Sequence, residues 1–207
     1  MKNLFLNADC MCPKVGLPSY PDNYFGLAVV DPPYRDKNAP TVQMQKKING
    51  HMVNFGSKPK QGYFEELFRV SKNQIVWGAN NFIEHLENTN CFLFWDKAQP
   101  WPTYSDGELA WTSFTGVARC IRLNYFGAVN SDSDRFHPTQ KPILLYRWLL
   151  EHYAQPGDLI LDTHVGSASS LIACESMGFN YVGYELDPDY YAAAQARMAK
   201  GIQMQLL

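Results

Sequence analysis

Short apolar runs and stretches of helical spacing take turns along the chain. Runs rich in β-branched and aromatic residues at Asn3 to Leu6, Phe25 to Val30, Gln74 to Trp77, Cys91 to Trp95, Glu108 to Phe114, Leu159 to Leu161 and Tyr181 to Tyr184 predict strands. Between several of them the period changes. Tyr63 to Val70 sets Phe64, Leu67 and Phe68 at helical spacing, and Pro142 to Tyr153 opens with a proline suited to a first turn and stops before Pro156-Gly157. Asp187-Pro188 reads as an N-cap followed by proline at the first position of a last helix reaching about Lys200. Strands alternating with helices predict an α/β domain with a mostly parallel sheet and helices on both faces. In such sheets ligands bind beyond the carboxyl ends of the strands.

The chain's 207 residues suit one domain, 1–207, with no internal repeat and no dividing linker. Its 46% hydrophobic content contains no apolar run near the roughly 20 residues of a membrane span, and MKNLFLNADC is too short and too polar for a signal peptide. A soluble, cytoplasmic protein is expected. Five scattered cysteines give neither a disulfide framework nor a zinc pattern, so no metal is expected.

The net charge of -2 conceals an uneven distribution. Between residues 35 and 62, Arg35, Lys37, Lys46, Lys47, Lys58 and Lys60 stand against Asp36 alone, a local +5 that leaves -7 for the rest. A basic segment on an acidic body fits a phosphate-binding loop, although a solvated loop without partner has the same composition.

The run LAVVDPPY ends a buried strand on Asp31, Pro32, Pro33 and Tyr34. Two prolines fix their φ angles and lack backbone donors, so the Asp31 carboxylate and the Pro32 carbonyl are free to face a ligand beside one aromatic ring. Two acceptors can engage both hydrogens of a base's amino group, and the ring can stack on a base drawn from the helix. By average residue usage this tetrapeptide arises by chance in about one chain in a thousand of this length, which weighs against an ordinary proline turn.

Near the carboxyl end, LILD, a small-residue turn, a helix and YVGYELD form a βαβ unit of nucleoside-binding type, with Glu185 placed to take ribose hydroxyls. Gly166, Ser167, Ala168 and Ser169 make only a loose glycine-rich loop, which an ordinary tight strand-to-helix turn would also give, and no G-K-[ST] follows, which argues against a nucleotide-hydrolysing P-loop. Upstream, HPTQKP (His137 to Pro142) sits at a helix start where Lys141 and free backbone donors suit a carboxylate, a plain capped helix start being the competing view.

With DPPY at Asp31, HPTQKP at His137 and LDTHVGSASS at Leu161 in that order, the sequence resembles the amino-methyltransferases of DNA, specifically the permuted β group. NADC, RVSKNQIVWGANNF and FWDK followed by SDGELAWTSF are similar to segments of phage and bacterial adenine methyltransferases. The resemblance implies a Rossmann-like, circularly permuted fold dependent on S-adenosylmethionine, acting on the 6-amino group of adenine in DNA without a metal. It implies that Asp9 and Cys10 in NADC lie at the cofactor adenine, Glu185 at its ribose, and Asp162, His164, Gly166, Ser167, Ala168 and Ser169 with Thr139 and Lys141 at its methionine end. Asp31, Pro32, Pro33 and Tyr34 would act on the target base.

Two departures stand out. Where the family reads D-P-F-x-G-S-G this chain has Thr163, His164 and Ala168, and the family's target-recognition insert before HPTQKP has little room. Segments 35–62 and 98–136 are therefore the expected DNA-recognition insertions, alone or with a second copy or a specificity or restriction partner. Rival readings are a cytosine 4-amino methyltransferase, where the family more often has serine at the position of Asp31, methylation of RNA or protein, and a DNA-binding protein with a decayed cofactor loop. Glu108 and Trp111 could reach the base pocket but are assigned to packing, Asn80 to a helix cap rather than to substrate, and His51 to solvent.

Overall fold

The computed structural model describes residues 3–34, 57–99, 105–123 and 139–205, the last five by backbone alone. In chain order the strands are β1 (Leu4–Asn7), β2 (Phe25–Val30), β3 (Ser71–Trp77), β4 (Leu93–Asp96), β5 (Gly107–Thr112), β6 (Arg119–Arg122), β7 (Leu159–Asp162) and β8 (Asn180–Glu185). The helices are α1 (Gln61–Val70), α2 (Ile143–Tyr153), α3 (Ser169–Met177) and α4 (Pro188–Gln205). All eight strands join one sheet in the order β1-β8-β7-β2-β3-β5-β4-β6. Only β5 runs against its neighbours, so the α/β, mostly parallel architecture is as expected.

The middle of the sheet follows from composition. Every residue of β2 is buried, because it lies between β7 and β3 with helices above and below. One core layer joins α2, α3 and α4 to the sheet through Leu145, Leu149, Leu171, Ala194 and Met198. The other packs Tyr63, Phe64, Leu67 and Val70 of α1 on the opposite face, at the i, i+1, i+4, i+7 spacing of an amphipathic helix.

Strand order reverses between β7 and β2, since β7 continues outward to β8 and β2 outward to β3. That crevice is where an open α/β sheet receives ligands. On its outer side β1 pairs in parallel with β8, Leu4 opposite Val182 and Asn7 opposite Glu185. The first strand of the chain thus completes the half of the sheet begun by the last βαβ unit, as a circular permutation requires.

Several local expectations shift. Pro142 occupies the N-cap of α2 with ψ 145°, and Ile143 is the first helical residue. Asp187 does cap α4, its Oδ1 accepting from the backbone N–H of Asp189 and Tyr190 at 2.9 and 3.1 Å. β3 begins at Ser71, directly after α1, while β4 starts at Leu93 rather than Cys91 and β5 stops at Thr112 rather than Phe114. The edge strand β6 has no counterpart among the expected strands. Among the described residues no helix is long and apolar enough to cross a membrane.

Candidate active site

Four neighbouring strands each deliver an acid at or just beyond the carboxyl end: Asp9 after β1, Glu185 on β8, Asp162 on β7 and Asp31 after β2. They line one rim of the sheet across the switch point.

At Asp31 the structure assembles a charged cluster. The Tyr34 hydroxyl donates to Asp31 Oδ1 at 2.6 Å, and the Lys141 ammonium pairs with Asp31 Oδ2 and, at 2.9 Å, with Glu108 Oε2. Lys97 holds the other Glu108 oxygen at 2.6 Å. The Lys141 side chain is only 3% exposed, against 18% for Asp31 and 23% for Glu108. Burial alone pulls the lysine down, but Asp31 and Glu108 raise it above its ordinary value, so it stays a cation. Burial likewise pushes the Glu108 carboxyl up, yet Lys141 and Lys97 outweigh it and hold that group at about 2. Each carboxylate oxygen carries two lone pairs, so both Asp31 oxygens keep acceptor capacity toward the open side.

Tyr34 owes its position to Gly78. The glycine has φ +68°, and a Cβ placed on it would fall 2.0 Å from Tyr34 Cε1. Both the left-handed turn after β3 and the close approach of the ring require glycine there.

The second cluster lies over β7 and β8. Glu185 accepts the backbone N–H of Gly166 at 2.8 Å and of Asp187 at 2.9 Å, one per oxygen, which ties the loop after β7 to the end of β8. Asp162 accepts from Ser170 Oγ at 2.5 Å and from the His164 backbone N–H at 3.0 Å. Burial, resisted by these bonds and reinforced by Asp31 and Glu185, pushes Asp162 up to about 7. Burial also raises Glu185, with the backbone donors opposing and Asp187 adding. This acidic stretch of the rim suits a ligand that brings hydroxyl donors and positive charge, and a ribose diol with a sulfonium meets both requirements.

Around the loop, Thr163 Oγ1 joins Tyr63 OH at 2.6 Å to His164 Nδ1 at 2.9 Å, and burial holds that imidazole down at about 4, hence neutral at pH 7. Cys10 is buried and its thiol pushed up to about 12. It shapes the turn after β1, where its carbonyl accepts from Leu17. Asp9 is exposed and accepts the Met11 N–H at 2.8 Å. Gly166 and Ala168 both adopt positive φ, 54° and 62°. For alanine that conformation costs about 1–2 kcal/mol.

The structure therefore gathers Asp9, Cys10, Asp162, His164, Gly166, Ser167, Ala168, Ser169 and Glu185 along one rim, with Asp31 to Tyr34 beside them. The structure pairs Lys141 with Asp31 and Glu108, with no contact to the loop after β7 among those described. Thr139 lies exposed just before it. Glu108, assigned to packing with Trp111, instead enters the cluster, while Trp111 faces the opposite layer, its Nε1 donating to Glu87 O at 2.7 Å. A lone carboxylate inside the apolar run of β5 was the available signal. Asn80 sits exposed in a 3-10 turn (Ala79–Asn81) and caps no helix. Of the basic residues, Arg35, Lys37, Lys46 and Lys47 lie outside the described residues, as do His51 and His137. Lys58 is paired with Glu84 at 2.9 Å, and Lys60 is exposed at the N-cap of α1.

Residues 44–196 match the DNA methylase family of N6 and N4 methyltransferases. Over 161 residues, 77% of the chain, the sequence is 25% identical to the Type II methyltransferase M.MjaII of Methanocaldococcus jannaschii, and the chain spans 28% of that relative's length. The structure of M1.HpyAVI, solved as a SAM complex, is similar at a TM-score of 0.63 with 17% identity, covering 94% of this chain and 98% of that one. PvuII DNA methyltransferase, cytosine-N4-specific, is similar at a TM-score of 0.60 with 14% identity over 98% and 93% of the two chains.

Proposed function

Because the chain belongs to the DNA methylase family, we propose that it transfers the methyl group of S-adenosylmethionine to the exocyclic 6-amino group of adenine in DNA. The observation that supports this reading is the adjacency of two clusters on one rim: acceptors for an amine at Asp31, and carboxyl groups suited to a cationic nucleoside at Asp162 and Glu185.

The cofactor, when bound, supplies an electrophilic methyl on a sulfonium. Glu185 takes ribose hydroxyls with the lone pairs that Gly166 and Asp187 leave free, and Asp9 addresses the adenine end. The turn from Asp162 to Ser169 presents its backbone to the methionine end. On the substrate side the Asp31 carboxylate accepts one amino hydrogen and the Pro32 carbonyl the other, which localises the nitrogen lone pair toward the methyl. Tyr34 faces the base, and Lys141 fixes the carboxylate in place. Asp31 stabilises the positive charge that develops on nitrogen, and the proton then leaves to solvent.

An aspartate at position 31, where cytosine enzymes more often have serine, favours adenine. The fold itself does not discriminate, since a cytosine-N4-specific enzyme shares it. Segments 35–62 and 98–136 are assigned to the DNA face within a single domain, with a second copy or a specificity or restriction partner completing recognition in the cytoplasm.

The test is nucleoside mass analysis of DNA incubated with the protein and S-adenosylmethionine. The expected product is 6-methyladenine; 4-methylcytosine alone would overturn the choice of base. Asp31→Ala should keep cofactor binding and lose most of the rate, because its interaction strengthens as charge develops. Full activity in that variant would overturn the mechanism, and no binding of S-adenosylmethionine by titration would return the chain to the DNA-binding class.

A further inference from the structure

The loop that follows β7 contains a residue poorly suited to its backbone. Ala168, fully buried, takes φ +62° between Ser167 and the first residue of α3, Ser169. Glycine occupies such positions without steric cost, whereas the methyl group of alanine drives the chain toward negative φ. Something else must therefore hold the loop in shape.

Arg197, on α4 and only 6% exposed, donates from one guanidinium nitrogen to the Ser167 carbonyl at 2.6 Å and to Ser169 Oγ at 2.8 Å. Ser167 Oγ and Ser169 Oγ are themselves 3.2 Å apart. These contacts fall on the residues immediately before and after Ala168. The Ser167 carbonyl belongs to the peptide plane about which the φ of Ala168 is measured, so fixing its direction fixes one side of that rotation. Relaxation to negative φ would swing the carbonyl off the guanidinium. A cation beside the first turn of α3 also runs against the helix dipole, so macrodipole energy is not what keeps it there. Charge-assisted bonds are the strong class, and these tie the final helix to the loop over 30 residues of sequence.

We propose that Arg197 is a positioning residue for cofactor binding: it replaces the missing glycine by clamping Ser167 and Ser169, and so holds the loop backbone in its ligand-binding form. This rests on the reading of that loop as the S-adenosylmethionine site.

The test is a double-mutant cycle on the full chain, with affinity for S-adenosylmethionine measured by calorimetry and amide hydrogen exchange of residues 163–170 measured without ligand. Arg197→Met should weaken binding on the order of tenfold and speed loop exchange, and Arg197→Lys, which keeps one donor, should fall between. Ala168→Gly should remove most of the effect, so that Arg197→Met costs threefold or less in its presence. Unchanged binding and exchange in Arg197→Met would overturn the proposal, and so would an equal loss with and without Ala168→Gly. Should Arg197→Met not fold, the same comparison with Arg197→Lys decides. If the unaltered chain binds no S-adenosylmethionine, the cofactor reading fails, and exchange alone then judges the clamp: Arg197-dependent protection relieved by Ala168→Gly supports it, and protection independent of Arg197 overturns it.

Discussion

Replacing Lys141 by methionine preserves length and apolar bulk while removing the one ammonium shared by Asp31 and Glu108. Breaking a buried ion pair from one side typically costs about 3–5 kcal/mol, because the partner is left buried without compensation. Here the low end applies. Asp31 and Glu108 are 18% and 23% exposed, and Glu108 retains Lys97 at 2.6 Å. A loss of about 3 kcal/mol at pH 7 follows, or a fall in Tm of roughly 6–12 °C for a domain of this size. The pH dependence has a definite sign. With both lysines present the Glu108 carboxyl lies at about 2, below its ordinary value of 4.5, so its contribution to stability is present above 4.5 and is lost as pH falls through about 2. Without Lys141 much of that contribution is absent, and the gap between variant and parent should narrow as the pH is lowered from 4.5 toward 2. Adding Glu108→Gln to Lys141→Met removes one of the stranded charges and should recover about 1 kcal/mol or more. Urea denaturation at pH 7 and pH 3 reads all of this. A Lys141→Met protein within about 1 kcal/mol of the parent at pH 7, with a gap that does not change with pH, would refute the account of the cluster.

Gly78→Ala should push the Tyr34 ring from its place, since the new Cβ falls 2.0 Å from it at φ +68°. The expected result is a rate lower on the order of a hundredfold with cofactor affinity unchanged, and an unaffected rate would show that the ring position is not used. Glu185→Ala removes the acceptor of Gly166 and Asp187 as well as the expected ribose contact, so calorimetry should show binding weaker on the order of tenfold or more. For Asp162 the folded value of about 7 lies above the ordinary 3.8, so the stability it contributes is full below 3.8 and is lost as pH rises through about 7. Asp162→Asn should therefore gain on the parent between pH 5 and pH 8, on the order of 3 kcal/mol in urea midpoints without ligand; a difference constant across that range would contradict the shift.

The most legible parts of the molecule were those whose cause is local. β2 runs from Phe25 to Val30 as expected because a wholly apolar hexapeptide, followed after Asp31 by two prolines, admits little else, and Asp187 caps α4 by chemistry contained in three consecutive residues. The acids at the strand ends follow from the rule that parallel sheets bind ligands at their carboxyl rim. What escaped was set by distant partners. β6 shows only Ile121 buried, so its tetrapeptide carries no period, and its pairing with β4 alone makes it a strand. Glu108 joins the Asp31 cluster because Lys141, 33 positions later, reaches it, and Arg197 meets the loop at Ser167 across 30 positions. Lys141 was expected to meet a ligand carboxylate, and its pairing with Asp31 and Glu108 escaped because motif order along the chain does not reveal which acids the sheet brings beside it.

The pairing of β1 with β8 bears on how the molecule is made. Leu4 meets Val182 and Asn7 meets Glu185, contacts that close a loop of nearly the whole described chain. Elongation from the amino terminus thus releases β1 long before its neighbour exists, and a strand emerging early must wait, unpaired, through the synthesis of β2, β3 and most of the helices. Contacts so far apart in sequence are slow to form and leave an open edge exposed in the interval. Phe5 and Leu6, which enter the two opposite core layers, make β1 the segment most in need of shielding on the ribosome. Competence for the cofactor would then appear late and abruptly, when the final βαβ unit closes the sheet around both ends.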